Sequence, residues 1–221
     1  MILGDQESGH GVLHEFLGFE RSRSTSFVPK FFEVGFGSKL GAQTRIDETL
    51  SSEDPIVAGG VHLRGKVDRI EIGKEAFSIL DYKTGKQLPT LEDIRQGISL
   101  QLPIYLYTIE KLLTKKLAAD LNPAGALYYQ VRNPVALKVG VGSGRYKTEL
   151  EAKVRLLASD QELRTLVDDC ITRVNEYVAA IARGTFPLTS ADKIEKVCTY
   201  CDYKTICRIQ AVRRVEKAKE D

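Results

Sequence analysis

Residues 65–83 read GKVDRIEIGKEAFSILDYK, and they contain two runs rich in β-branched and apolar residues. Each run predicts a β-strand, and the short polar segment between them predicts a tight turn. A two-residue loop at 74–75 makes the strands an antiparallel hairpin. Continuing that pairing outward brings Asp68 directly opposite Asp81. Directly opposed residues have Cβ atoms about 4.5–5.5 Å apart.

The charged residues at the end of this hairpin share one face of the predicted sheet. Asp81 and Lys83 are two positions apart, so they point to the same side as Phe77 and Ile79, which should face a core. Charges that continue a buried face are costly unless they are paired or bound to metal. Two opposed carboxylates, Asp68 and Asp81, repel unless a cation lies between them. A site for a divalent metal that positions a phosphate is therefore predicted, and a surface hairpin with solvated charges is the alternative.

The composition sets the class of protein. The chain has 221 residues, 43% of them hydrophobic, and a net charge of +2, enough for one full core and a small appendage. The mild basicity is compatible with nucleic acid but does not argue for it. No apolar run is long enough to span a membrane, and the N-terminus lacks the features of a signal peptide. We therefore expect a cytoplasmic protein without a membrane partner and with reduced thiols.

Around the hairpin, the periodicity predicts a mixed α/β arrangement. The helical pattern covers 9–20, 91–117 and 163–183, and further strands are expected over 31–36 and 126–131. Pro103 should kink the second helix or begin a second segment there. The glycine-rich stretch 139–146 is predicted to be a loop or hairpin turn. It lacks the Gly-Lys-Ser/Thr that completes a phosphate-binding loop.

Four residues outside the hairpin are further candidates. His14 lies on the first predicted helix, where metal ligation and a purely structural role are both open. Glu33 lies in a strand among apolar neighbours. Gln101 and Tyr105 are four residues apart and share a helix face, although packing in the core is the default role for Tyr105.

Three cysteines crowd near the C-terminus in the pattern Cys198-x2-Cys201-x5-Cys207. This spacing indicates a tetrahedral metal site or an iron–sulfur cluster, but it supplies one thiolate fewer than four. The remaining cysteine, Cys170, lies on the apolar stripe of a helix, where a buried free thiol is the ordinary role.

Taken together, these motifs resemble the RecB/AddB-type nuclease domain of the PD-(D/E)XK superfamily. The matching segments, in chain order, are Gly11-Val12-Leu13-His14, Phe32-Glu33, Gly65-Lys66-Val67-Asp68-Arg69, Asp81-Tyr82-Lys83-Thr84-Gly85, Gln101-Leu102-Pro103-Ile104-Tyr105, Gly184-Thr185-Phe186-Pro187 and the three cysteines. The resemblance implies a restriction-endonuclease-like fold, a mixed central sheet flanked by helices. It also implies a nuclease domain over 1–187 and a cysteine-containing helical cap over 188–221.

The resemblance also implies roles for single residues. Mg²⁺ or Mn²⁺ would be bound by His14, Asp68 and Asp81. Lys83 would be the catalytic lysine, and Glu33 would assist catalysis. The nucleic-acid backbone would be contacted, or the site braced, by Gln101 and Tyr105.

Two departures from the family pattern stand out. Glu71 lies where members often carry a second aspartate, which affects strand packing more than chemistry. Cluster-bearing members take their first cysteine from upstream of the histidine, and no cysteine precedes His14 here. A [4Fe–4S] cluster would thus be incomplete in this chain. Either the chain is a truncated piece, or its cysteine cap works without a complete cubane.

The function implied is a metal-dependent deoxyribonuclease that hydrolyses phosphodiester bonds. We expect an exonuclease on single-stranded DNA ends, in recombination and double-strand-break repair. The sequence has no Walker motif, so a helicase domain or subunit would be supplied elsewhere. The alternatives are a stand-alone CRISPR-associated-type exonuclease, and a nuclease-fold module that binds DNA without cleaving it.

Overall fold

A computed structural model describes residues 11–37, 47–132, 134–153, 156–186, 188–189, 194–199 and 201–209. The chain divides into two compact units, residues 1–176 and 177–221. The predicted domain boundary after residue 187 stays a prediction. The start of the first predicted helix, at 9–10, lies outside the described residues.

The first unit contains both strands and helices. Its strands are β1 (Val28–Phe36), β2 (Ile56–Ala58), β3 (Val61–Leu63), β4 (Gly65–Ile72), β5 (Ala76–Lys83), β6 (Asn122–Gln130) and β7 (Ala136–Gly142). Its helices are α1 (Val12–Ser22), α2 (Leu91–Arg95), α3 (Gln101–Leu117) and the greater part of α4 (Asp160–Ala182).

Five strands form one sheet in the order β1-β4-β5-β6-β7, and β2 pairs with β3 as a separate hairpin. The β5–β6 pair is parallel and the other pairs in the large sheet are antiparallel. The α2 and α3 helices occupy the connection between the parallel strands, as such a crossover requires. This mixed sheet flanked by helices confirms the predicted fold class.

The register of the central hairpin is as predicted. Ile72 pairs with Phe77, and the Gly73 N–H donates to the Ala76 carbonyl at 2.8 Å. The ladder runs outward to Arg69 opposite Leu80. One further step in the same register places Asp68 beside Asp81, beyond the last paired residues.

The two faces of the sheet carry different cores. Phe77 and Ile79 belong to the larger core, which includes the buried side chains of α3 and α4. Ala76 and Leu80 point the other way, into a smaller core against which Phe16 and Phe19 of α1 pack. Because side chains alternate along a strand, Asp81 and Lys83 lie on the side of the larger core.

The second predicted helix is two helices. Thr90 caps α2 in a reciprocal arrangement: its hydroxyl accepts from the Asp93 N–H, and the Asp93 carboxylate accepts from the Thr90 N–H. The α3 helix begins at Gln101, so Pro103 lies in its first turn, where the backbone N–H would have no partner within the helix. The prediction that Pro103 marks a second segment is confirmed.

The prediction of a loop or hairpin turn over 139–146 is wrong for residues 139–142. Residues up to Gly142 belong to the edge strand β7, and a 3₁₀ turn, Gly144–Tyr146, follows. The glycines serve close packing here. A Cβ atom at Gly140 would come within 2.4 Å of Leu102 Cδ1.

The second unit contains the end of α4 and two short helices, α5 (Ile194–Cys198) and α6 (Lys204–Cys207). The three clustered cysteines lie in or beside these two helices. Within the described part of the whole chain, no helix is both long enough and apolar enough to cross a membrane.

Candidate active site

The last residues of strand β5 carry an ion pair at the edge of the larger core. Asp81 Oδ2 lies 2.7 Å from Lys83 Nζ, and the exposed side-chain fractions are 4% and 32%. The two residues share a strand face, so their contact follows from the period of a β-strand. The buried carboxylate therefore meets an ammonium group that still reaches solvent.

Gln101 joins this pair from the first residue of α3. Its amide nitrogen Nε2 donates to Asp81 Oδ1 at 3.0 Å, and its Oε1 accepts from Lys83 Nζ at 3.0 Å. Nε2 also donates to the Tyr105 hydroxyl at 3.0 Å. The Tyr105 ring packs edge-to-face on Phe36 of β1, with centroids 6.4 Å apart. Helix α3 therefore braces both charged residues of β5.

Asp68 is the second carboxylate at this end of the sheet. It is half-buried, and its Oδ2 accepts from the Tyr82 backbone N–H at 2.9 Å. That hydrogen bond ties the side chain to the residue between Asp81 and Lys83. The structure thus brings together Asp68, Asp81 and Lys83, as the hairpin register predicts.

The electrostatics at Asp81 favour an added cation. Burial raises the pKa of the Asp81 carboxyl above its ordinary value; Lys83 opposes the rise and the Asp68 carboxylate adds to it. Asp81 Oδ2 is a buried oxygen with no aligned hydrogen bond, although Lys83 is close. Mg²⁺ in proteins is often held by one or two carboxylates together with waters and substrate phosphates. Asp68 and Asp81 fit that kind of site.

Glu33 occupies an unusual backbone position next to Asp68. The β1–β4 pairs Phe32↔Arg69 and Val34↔Val67 bracket it, so the register places Glu33 opposite Asp68. Its φ is 55°, in the left-handed region that non-glycine residues rarely adopt. Its carboxylate forms an ion pair with Lys66. That pairing is the first cause of the raised pKa of Lys66.

His14 belongs to helix α1, which packs on the face of the sheet opposite to that of Asp81 and Lys83. Helix α1 packs through Phe16, whose ring centroid is 6.2 Å from that of Tyr82 and 5.1 Å from that of Tyr129. Tyr82 points away from the face that carries Asp81. The His14 side chain is exposed, and it has contacts within the structure.

The described structure does not bring together the predicted sets of three metal ligands. Nowhere in that part of the chain are three or more His, Cys, Asp or Glu side chains placed to hold one ion. This applies to the predicted set of His14, Asp68 and Asp81. It applies equally to Cys198, Cys201 and Cys207, which are free thiols. Cys170 is also free and is buried, as predicted, with Sγ 3.7 Å from the Ile94 carbonyl oxygen.

Helix α1 is fixed to the sheet by a buried network of charges. Arg23 donates to both oxygens of Glu71, at 2.6 and 3.1 Å, and to Glu151 at 2.8 Å. Arg69 is bonded to Glu71 and, at 2.8 Å, to Glu20 of α1. Glu71 faces these two arginines, which accounts for an acid at this strand position.

Two residues that support the site did not stand out in the sequence. Lys66 pairs with Glu33, and its position two residues before Asp68 was a signal that they share a face. Phe36, which holds the Tyr105 ring, gave no such signal, because its contact joins elements distant in sequence.

Comparison with known proteins identifies the family of this chain. A model of the PD-(D/E)XK nuclease superfamily matches residues 6–208. The chain belongs to this superfamily. Curated relatives include a protein from Thermoanaerobacter sp. (strain X514) that is named as a subunit of an ATP-dependent helicase/deoxyribonuclease. It is 30% identical over 86% of this chain and 20% of the relative. The protein of the same name in Carboxydothermus hydrogenoformans is 28% identical over 84% of this chain and 21% of the relative.

The predicted resemblance to RecB/AddB-type nuclease domains is confirmed at this level. The chain spans about a fifth of the length of the curated relatives it matches. Their common name describes a deoxyribonuclease that works with an ATP-dependent helicase. The family to which the chain belongs is one of nucleases.

Proposed function

We propose that this chain is a DNA nuclease that hydrolyses phosphodiester bonds with Mg²⁺ or Mn²⁺ at Asp68 and Asp81. The observation that carries the proposal is the contact of Asp81, Lys83 and Gln101 beside Asp68. Asp81 Oδ1 and Oδ2 lie 3.0 and 2.7 Å from Gln101 and Lys83, respectively. By the resemblance described above, these residues would occupy the positions of the family motif.

Each residue has a separate task in this proposal. Asp68 and Asp81 hold the metal, which when bound polarises the scissile phosphate and lowers the pKa of a bound water. Lys83 stabilises the negative charge that develops on the phosphate, or orients the attacking water. Gln101 and Tyr105 keep Lys83 and Asp81 in place. We also propose His14 as a third metal ligand, although the described structure does not gather it with Asp68 and Asp81 around one point. Glu33 would assist from the neighbouring strand.

We further propose that the substrate is a single-stranded DNA end opened by a helicase. The support is the name of the relatives, which joins helicase and deoxyribonuclease in one complex. The present sequence contributes no Walker motif, so unwinding would be the task of a helicase domain or subunit. A cytoplasmic location is also part of this proposal.

The two predicted regions keep separate roles in this proposal. Residues 1–187 would form the nuclease domain and 188–221 the cysteine cap. Cys198, Cys201 and Cys207 supply three thiolates of a [4Fe–4S] set, which needs a fourth ligand from elsewhere.

The deciding experiment uses end-labelled single- and double-stranded DNA with Mg²⁺, Mn²⁺ or EDTA. We expect cleavage with either metal and none with EDTA. Lys83→Ala and Asp81→Asn should lower the rate by about 10²–10³, since each removes an electrostatic group at the reacting phosphate. Melting temperatures would show that both variants fold.

Matched controls are available at exposed positions. Lys74→Ala and Asp120→Ala remove the same charges from surface turns. They should cleave DNA at the rate of the unaltered chain. Unchanged activity of Lys83→Ala would contradict the assignment. DNA binding without metal-dependent cleavage by the unaltered chain would instead favour a module that only binds DNA.

A further inference from the structure

Four exposed residues follow the catalytic strand directly. They are Thr84, Gly85, Lys86 and Gln87, called here the 84–87 turn. The turn begins immediately after Lys83 and lies at the same end of the sheet as Asp81. The assignment of the site gives this turn no role.

The backbone of the 84–87 turn is held from beneath by a buried amide. Gln130, the last residue of β6, is only 4% exposed and pairs with Lys83 in the parallel register. Its Nε2 donates to the carbonyl oxygen of Gly85 at 2.6 Å and to that of Lys86 at 3.2 Å. The turn is also fixed at its start, where the Val131 N–H donates to the Lys83 carbonyl at 2.9 Å.

Within the described residues, the backbone of the 84–87 turn is hydrogen-bonded, whereas its polar side chains are not. In the part of the chain that the structure describes, the side chains of Thr84, Lys86 and Gln87 have no hydrogen bond or ion pair. A buried amide is costly unless it is hydrogen-bonded, and Gln130 meets that requirement by fixing an exposed turn. The result is a hydrogen-bonded backbone that presents a hydroxyl, an ammonium and an amide to solvent. Because the backbone is already held, less of its conformational freedom is lost on binding than in an unsupported loop.

The charges around the site indicate which kind of ligand the 84–87 turn binds. Asp68 and Asp81 repel the phosphates of an approaching DNA strand, and Lys83 is already engaged by Asp81 and Gln101. Lys86 is the next cation along the chain, and its ammonium is unpaired within the described structure. A phosphate near the scissile bond can therefore be neutralised by Lys86.

We propose that the 84–87 turn binds a backbone phosphate of the DNA strand next to the scissile bond. Lys86 makes the contact, and Gln130 is the positioning residue that holds the turn. This inference rests on the proposed function, because it takes DNA as the ligand.

The test measures binding of a single-stranded DNA oligonucleotide over a series of salt concentrations in EDTA, so that no cleavage occurs. Each lost phosphate contact on single strands lowers the slope of log affinity against log salt by about 0.7. Lys86→Ala should show that reduction, with the largest loss of affinity at low salt. The control is Lys74→Ala, an equally exposed lysine in the turn at the opposite end of β5, which should keep the original slope.

A second variant tests the role of Gln130. Gln130→Met keeps most of the side-chain volume but removes both donors to the turn. It should weaken DNA binding several-fold and raise KM for DNA cleavage with Mg²⁺ while kcat at saturating DNA stays near the original. Adding Lys86→Ala to Gln130→Met should then change DNA binding little, because each substitution removes the same contact with DNA.

The outcomes separate the two hypotheses. An unchanged salt slope for Lys86→Ala in a chain that still cleaves DNA would overturn this inference and leave the proposed function intact. Additive effects of the two substitutions would overturn the role of Gln130. Lys86 is exposed, so its variant gives an answer even where Gln130→Met does not fold. A chain that neither binds nor cleaves DNA would contradict the proposed function itself, and this inference with it.

Discussion

At the scale of single residues, Gln101 has the most connections in the site. One amide group contacts Asp81, Lys83 and Tyr105, all at 3.0 Å. An amide can donate and accept at once, so it satisfies a carboxylate and an ammonium that also face each other. A carboxylate or an ammonium at position 101 would meet a like charge from one of them.

This gives a prediction for Gln101→Leu. The substitution leaves Asp81 Oδ1 without its donor and removes one acceptor from Lys83. Unsatisfied buried polar groups cost about 1–3 kcal/mol, so we expect a loss of that order in the free energy of unfolding, measured with urea. DNA cleavage should fall as well, because Lys83 loses its second partner. Gln96→Leu, which removes an exposed amide bonded to Glu92, is the control and should leave both quantities unchanged.

The buried thiol Cys170 permits a prediction about pH. Burial raises the pKa of Cys170 to about 11. A thiolate is the reactive form, so at pH 8 only about one thiol in a thousand is ionised. We expect alkylation of the native chain at pH 8 to modify Cys198, Cys201 and Cys207 and to spare Cys170, as mass spectrometry of peptides would show. Urea should make all four reactive. Early labelling of Cys170 in the folded chain would contradict its burial.

At the scale of elements, the position of α1 depends on charges beneath it. Burial by itself lowers the pKa of Arg23, but hydrogen bonds to Glu71 and Glu151 outweigh that effect and raise it. In Arg69 burial also acts to lower the pKa, and Tyr82, Glu71 and Glu20 together raise it. Both guanidinium groups thus stay charged inside the structure. The network joins the helix that carries His14 to the strand that carries Asp68.

Removing the shared acid should loosen this arrangement. Glu71→Ala leaves two buried arginines without their common partner, and breaking a buried ion pair on one side costs about 3–5 kcal/mol. Because Glu20 and Glu151 remain as partners, we expect the free energy of unfolding, measured with urea, to fall by about 3 kcal/mol. The control is Glu75→Ala, whose exposed ion pair with Arg145 should leave the melting temperature unchanged. Equal melting of the two variants would show that the network contributes no stability.

The elements also show which parts of the fold the sequence can predict. The β4–β5 register follows from a two-residue turn and a period of two, both local properties, so it was predictable. Strand β7 was missed because glycine usually disfavours strands. Gly140 is required by the Leu102 side chain of α3, a contact between distant parts of the chain. The roles of Lys66 and Phe36 in the site depend on such contacts too.

At the scale of the whole molecule, the sheet separates two sets of functional groups. The face that packs on α3 carries Asp81 and Lys83, and the opposite face carries the arginine network under α1. Strand β5 contributes to both sets of groups, since Asp81 and Tyr82 are adjacent and point to opposite faces of the sheet. Tyr82 N–H holds Asp68, while its hydroxyl lies 3.4 Å from Arg69. Tyr82 therefore contacts both the arginine network and one of the two carboxylates.

The cysteines allow a prediction about the whole chain. A cubane cluster takes four thiolates, and this chain has four cysteines in all. Cys170 is buried in the core of the first unit, where its Sγ faces the Ile94 carbonyl, so three remain for a cluster. We expect iron and sulfide analysis of the 221-residue chain to find far fewer than four irons per chain. Metal bound instead by three thiolates would be labile, because the energy of a closed site depends on a complete ligand set. About four irons per chain, retained in Cys170→Ser, would mean that a ligand other than cysteine completes the cluster.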